Sequence, residues 1–227
     1  MNKKQNAIKR INRLEEYGTA FSFLLFSLLF VSAQILHPNV FHVEMITGGA
    51  DWIEHFRGQE LLHIAHLLEF ISAPLLIIMA LHFKKKLRLK SPVASFFGVT
   101  MVFIGALMLL GNKSALCLTI SGFDTLTDGE LQSIIPALDV LLQKEGMLAV
   151  LWLLPLLPLG WVIISVVLIK TRCIPLIQSI PIFIGSLLLA NPEIEAINFF
   201  ASFFLATGLI PYSITLFKKT LNKEKKL

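Results

Sequence analysis

An all-α bundle of six membrane-spanning helices is the fold this sequence predicts, and three observations predict it. The 227-residue chain is 55% hydrophobic and only 15% charged, against about 25% charged in ordinary soluble domains, and its mean hydropathy is +0.74. The apolar residues fall in six runs, most of them close to the roughly 20 residues that cross a bilayer core about 30 Å thick. The basic residues gather in short segments at alternate ends of those runs. The spans are placed near 18–36, 61–83, 92–111, 147–169, 174–190 and 196–217. They leave no room for a separate soluble domain, so residues 1–227 read as a single transmembrane domain.

The first span follows a basic segment with Lys3, Lys4, Lys9, Arg10 and Arg13. That start, the apolar stretch and Val31-Ser32-Ala33 before Gln34 resemble a cleaved signal peptide. The run continues to Leu36, however, which is long enough to span, and a retained helix is the reading adopted. In the first outer segment, Gly48-Gly49 marks a turn and Asp51 an N-cap. A helix is expected to start near Asp51 and run without a break into the second span. The basic segment Lys84-Lys85-Lys86-Leu87-Arg88-Leu89-Lys90 then leads to the third span.

The loop 112–146 carries Thr127-x-x-Glu130, a capping box, followed by Leu131, Ile134, Ile135, Leu138, Leu141 and Leu142 on one helical face. An amphipathic helix is expected here, bent or restarted at Pro136, lying on the outer membrane surface or covering the bundle. Spans four to six concentrate Pro155, Pro158, Gly160, Pro181, Gly185, Gly208 and Pro211. Kinks there would free carbonyls of the kind transporters use for ions, although both residue types are frequent in membrane helices generally.

Orientation follows from charge. The N-terminal segment, the 84–91 turn, Lys170 and Arg172, and the tail from Lys218 to Lys226 hold 17 of the 20 basic residues. Only Arg57, Lys113 and Lys144 fall on the other side. By the positive-inside rule, both termini are cytoplasmic and the protein is a multi-pass protein of the plasma membrane. The net charge of +5, so distributed, sets topology and excludes nucleic acid as a partner. Cys117 and Cys173 fall on opposite sides and cannot pair within one chain. The outer segments are acidic, which suits solvated loops or weak attraction of cations.

Glu69 is the one charged residue placed well inside a span, and such a carboxylate commonly marks a pathway, a ligand site or a buried pair. At 100° per residue on an unbroken helix, Asp51 shares its direction, and His55, His66 and Gln59 lie within about 80° of it, with His63 at about 120°. The stripe ends at Glu69, roughly 12 Å below Leu61, and Ala73, Leu76 and Ala80 continue the face without polarity. A polar site open to the outside and closed at mid-membrane is therefore expected. It would take a small polar or cationic ligand, an ion or a proton, through Glu69, His66, His55, Gln59 and Asp51.

Three other uses of the stripe compete. Glu69 can serve structure alone, hydrogen-bonded to Gln34, Gln178, Ser179 or Asn198 of another span. His63, His66 and Glu69 at i, i+3 spacing also suit zinc, iron or haem in a membrane redox protein, with His37 or His42 adding a ligand. A polar face docking a membrane partner protein or a second copy is the remaining alternative. The sequence holds no phosphate-binding glycine loop, nucleophile elbow or HExxH motif, so a non-enzymatic role is favoured.

The second half resembles that of small bacterial six-span membrane proteins. The likeness rests on the long outer loop, the apolar run Leu151 to Ile169, the basic hairpin Lys170-Thr171-Arg172, and Pro175 opening a short span that contains Gly185. It implies the same six-span architecture and assigns no functional residue.

Overall fold

The computed structural model describes residues 3–38, 40–41, 48–190 and 195–224. Among these there is no strand. Helix α1 (Lys3–Leu36) is followed by the short α2 (Gly49–Phe56), then α3 (Glu60–Leu87) and α4 (Pro92–Asn112). The chain does not leave the bundle at Asn112 as expected. It continues through a π-helical segment (Lys113–Leu118), one α-helical turn, α5 (Thr119–Ser121), and a 3-10 turn (Gly122–Thr125). Next come α6 (Asp128–Gln143), a 3-10 segment (Gly146–Leu153), α7 (Leu156–Thr171), α8 (Leu176–Leu188) and α9 (Glu195–Glu224).

Five stretches are long and apolar enough to cross a membrane: Ala7–Leu36, Glu60–Leu87, Pro92–Thr125, Gly146–Thr171 and Glu195–Lys223. The sixth apolar helix, Leu176–Leu188, is shorter. Large apolar side chains such as Ile71, Ile78, Phe96, Phe97, Phe103 and Phe200 face outward. In water these would be unfavourable, but in lipid they are the ordinary surface of a bundle.

The chain ends meet at one end of the bundle. Tyr17 lies against Phe217, Lys223 pairs with Glu16, and Lys85 reaches Glu15 at 3.4 Å. Lys90 Nζ donates to the Thr171 carbonyl at 3.2 Å. The basic segments named above thus share this end. Its core is aromatic: Phe23, Phe83 and Tyr212 are fully buried, and His82 Nε2 lies 2.7 Å from the Tyr212 hydroxyl.

Glycines of the second half sit at helix crossings. A Cβ on Gly160 would lie 2.6 Å from the Gly98 carbonyl oxygen, and one on Gly105 would lie 2.3 Å from Leu157 N. Gly185 meets α9, and Gly208 meets α8, just as closely. Small residues let membrane helices approach backbone to backbone where dispersion, not hydrophobicity, drives association. Pro181 and Pro211 lie within continuous helices, whereas Pro155 separates the 3-10 segment from α7.

Two expectations for the opposite end are corrected. The helix before span two does not run unbroken: α2 ends at Arg57 in extended backbone, and Gly58 turns the chain with φ +66°, a conformation glycine adopts at little cost. The N-cap of α2 is Gly48, not Asp51, which falls in the first turn. A Cβ on Gly49 would lie 2.9 Å from the Ile135 carbonyl oxygen, and Gly49 N donates to Asp139 Oδ1 at 2.7 Å, so glycine lets α2 press onto α6. The expected capping box on α6 is formed, with Thr127 N donating to Glu130 Oε2 at 2.8 Å. Pro136 does not restart that helix. Leu138 is buried with Phe56, Leu62, Leu116, Cys117 and Ile120, and Ile134 and Leu141 pack against them. Helix α6 therefore covers the bundle end.

Candidate functional site

Glu69 lies on the buried face of α3, its side chain 10% exposed. Three segments meet its carboxyl. Gln34, near the end of α1, donates from Nε2 to Oε1 at 2.7 Å. Lys113, the first residue of the π segment, forms an ion pair with Oε2. His66, one turn before Glu69, brings Nδ1 to 3.5 Å from the same oxygen. Lys113 Nζ also donates to His66 Nδ1 at 2.8 Å.

Each element has a local reason to deliver its residue. Helix α1 runs antiparallel to α3, so a glutamine at its far end reaches Glu69. The π segment carries the Thr119 backbone N–H to the Ser114 carbonyl, a spacing of five residues. Such a turn is wider than an α turn and recurs at functional sites. It holds Lys113 toward the bundle while Leu116, Cys117 and Ile120 join the apolar cluster beneath α6. The ammonium and carboxylate offset each other's desolvation, and the pair adds a histidine nitrogen on one side and an amide on the other.

A second layer surrounds His66. The Phe56 ring of α2 stacks on it at 5.4 Å and 16°, and Trp52 stacks on Phe56 at 4.4 Å. The His37 ring meets it edge to face, 5.2 Å away and perpendicular. His37 Nδ1 lies 3.1 Å from Glu195 Oε2 at the start of α9. With Nδ1 accepting from Lys113, His66 carries its proton on Nε2, which is buried with no hydrogen-bond partner among the described residues.

The expected stripe is only partly assembled. Glu69 and His66 meet. Asp51 and His55 sit on α2, across the Arg57–Gly58 break, whereas Gln59 follows the break as the N-cap of α3. Asp51 and Gln59 are exposed, and His55 is half-buried against Phe56. The break removes the helical phase that aligned Asp51 and His55 with Glu69, and Gln59 stands exposed at the very start of α3. His63 turns to Asp124, Nε2 to Oδ2 at 3.0 Å, and Asp124 Oδ1 accepts from Gly58 N at 3.1 Å. Arg57 pairs with Asp128 at 2.6 Å beside it. This group clasps the α2–α3 link to the covering segment.

Among the described residues, no three His, Cys, Asp or Glu side chains converge as a metal-ligand set. His63, His66 and Glu69 are thus not such a set, and His42 lies outside the described residues. Cys117 and Cys173 are both free thiols.

Lys113 and Phe56 are the site residues that sequence reasoning missed. Read from sequence, Lys113 falls in the outer loop 112–146. A signal was present: the apolar run resumes as Ala115 to Ile120 directly after it, leaving the lysine embedded rather than terminal. Gln34, by contrast, was among the partners proposed for Glu69. No protein-family profile, curated protein or solved structure matches the chain.

Proposed function

We propose that this is a non-enzymatic multi-pass plasma-membrane protein, with six spans and both termini cytoplasmic. It binds a proton or a small polar or cationic ligand at an outward-facing site centred on Glu69. Sensing, resistance or transport would all use such a site. The observation that carries the reading is the convergence of Gln34, His66 and Lys113 on one buried carboxyl, from three segments of the bundle. Stability alone is a poor reason for it. Well-packed apolar residues usually replace a buried ion pair without loss, and ionisable groups at membrane depth are rare outside functional sites. The proton is the favoured ligand, because carboxylate, ammonium and imidazole lie in direct contact.

The test uses the full chain in lipid vesicles with Trp152→Phe and Trp161→Phe, so that Trp52 reports on His66 through the Phe56 stack. Trp52 emission should follow external pH in a single transition, and Glu69→Gln should abolish it while the helical circular dichroism is kept. An unchanged transition in the Glu69→Gln protein would refute the reading.

A further inference from the structure

Resting on that reading, we infer that protons pass between the Glu69–Lys113 pair and the acidic end of the bundle along one line, through His66, His37 and Glu195. Its outer end is the most exposed, and its inner end at Lys113 is 16% exposed. The Glu195 side chain is 30% exposed and that of His37 9%, and those of His66 and Glu69 are 6% and 10%. The line draws on four separate segments: the start of α9, the residue after α1, α3 and the π segment.

The tautomers agree in direction. Lys113 Nζ donates to His66 Nδ1. This leaves the proton of neutral His66 on Nε2, the buried nitrogen without a hydrogen-bond partner. His37 Nδ1 lies 3.1 Å from the Glu195 carboxylate without an aligned hydrogen bond; on this route its proton rests on Nδ1, which a small turn of the ring brings onto that carboxylate, and its Nε2 accepts. In the outward direction, Lys113 Nζ gives a proton to His66 Nδ1, and His66 loses one from Nε2 to His37 Nε2. His37 then loses one from Nδ1 to the Glu195 carboxylate, which gives it to water. One proton leaves the ammonium, one reaches solvent, and each imidazole ends neutral in its other tautomer. Return runs through the same steps reversed. A small rotation of the His37 ring, or one water, completes the middle link across the 5.2 Å ring contact.

Other groups near the line do not offer a second route. His63 is turned to Asp124, and its ring lies 6.3 Å from that of Phe56, which is stacked on His66. Cys117 follows Lys113 by four residues but is packed with Leu116, Ile120 and Leu138. His55, on α2, touches Phe56 and not His66. Gln34 holds Glu69 and cannot relay a proton without leaving it.

Stopped-flow jumps in external pH, read by Trp52 in the same reconstituted protein, test this. His37→Ala and Glu195→Gln should slow the relaxation at least tenfold and leave its amplitude and midpoint in place, while Asp124→Asn leaves the rate unchanged. External imidazole should restore the rate of His37→Ala, which no purely structural role for His37 predicts. If His37→Ala does not assemble, His37→Gln, which keeps a hydrogen-bonding side chain, should show the same slowing. Wild-type rates in the His37 and Glu195 variants would overturn the route while leaving the site intact. Persistence of the transition in Glu69→Gln would overturn both.

Discussion

Glu69 and Lys113 fix each other's protonation partner and packing, so their substitutions should be strongly non-additive. Lys113→Met leaves a buried carboxylate unpaired and should cost about 3–5 kcal/mol. Thermal unfolding in detergent should show the Glu69→Met/Lys113→Met double variant recovering much of that loss. Additive losses would mean that the pair is not coupled. At this scale the sequence was legible where polarity was anomalous. A lone acid in an apolar run was visible, and so was Gln34 as a partner from another span. Lys113 was less visible because it sits between two apolar runs, where a basic residue reads as an interfacial anchor. Only its depth distinguishes the two roles, and depth depends on whether the helix continues.

Helices α4 and α7 approach through Gly98, Gly105 and Gly160, and at Gly105 and Gly160 an added Cβ would meet backbone atoms that cannot yield. Gly160→Ala should therefore lower stability by about 1–3 kcal/mol. Gly18→Ala, at a position where a Cβ meets nothing within 4 Å, should be neutral in the same melting experiment. Helix α6 offers a pH test. Its capping box holds the Glu130 carboxyl below the usual carboxylate range, because the Thr127 backbone N–H and hydroxyl both donate to the ionised form. A lowered value means that the contribution is full above the ordinary carboxylate pKa and is lost as pH falls through the folded one. Amide exchange in the first turn of α6 should accelerate over that acid range, and Glu130→Gln should flatten the dependence. Capping chemistry is local, so the sequence disclosed it. The break at Gly58 was not disclosed. A glycine between two helical patterns is equally compatible with continuation, and only contact with α6 and Asp124 decides for the turn.

Across the whole molecule, apolar length and charge asymmetry made the all-α membrane architecture legible. The short α8 kept the span number less distinct, since 13 residues cover only about 20 Å of helix. The contacts among Glu15, Glu16, Lys85 and Lys223 bring both chain ends to the same end of the bundle. Reporter fusions within Lys84–Lys90 and after Lys223 should accordingly agree with each other and give the cytoplasmic result. A fusion near Gly129 should give the opposite one. Discord between the first two would contradict the fold, whereas a joint inversion would contradict only the proposed orientation.

A π turn is, in effect, an α-helix carrying one surplus residue. Deleting Ser114 would let the stretch after Asn112 relax to ordinary pitch, with no change in composition at the carboxylate. Residues from Ala115 onward would keep their direction, because the residue removed is the one the wide turn absorbs. Leu116 and Ile120 would keep their seat under the covering helix, and Lys113 would stay in place. A one-codon loss at this serine would then be tolerated by the end of the bundle, whereas the same loss inside an ordinary α-helical stretch would turn every later residue by about 100°.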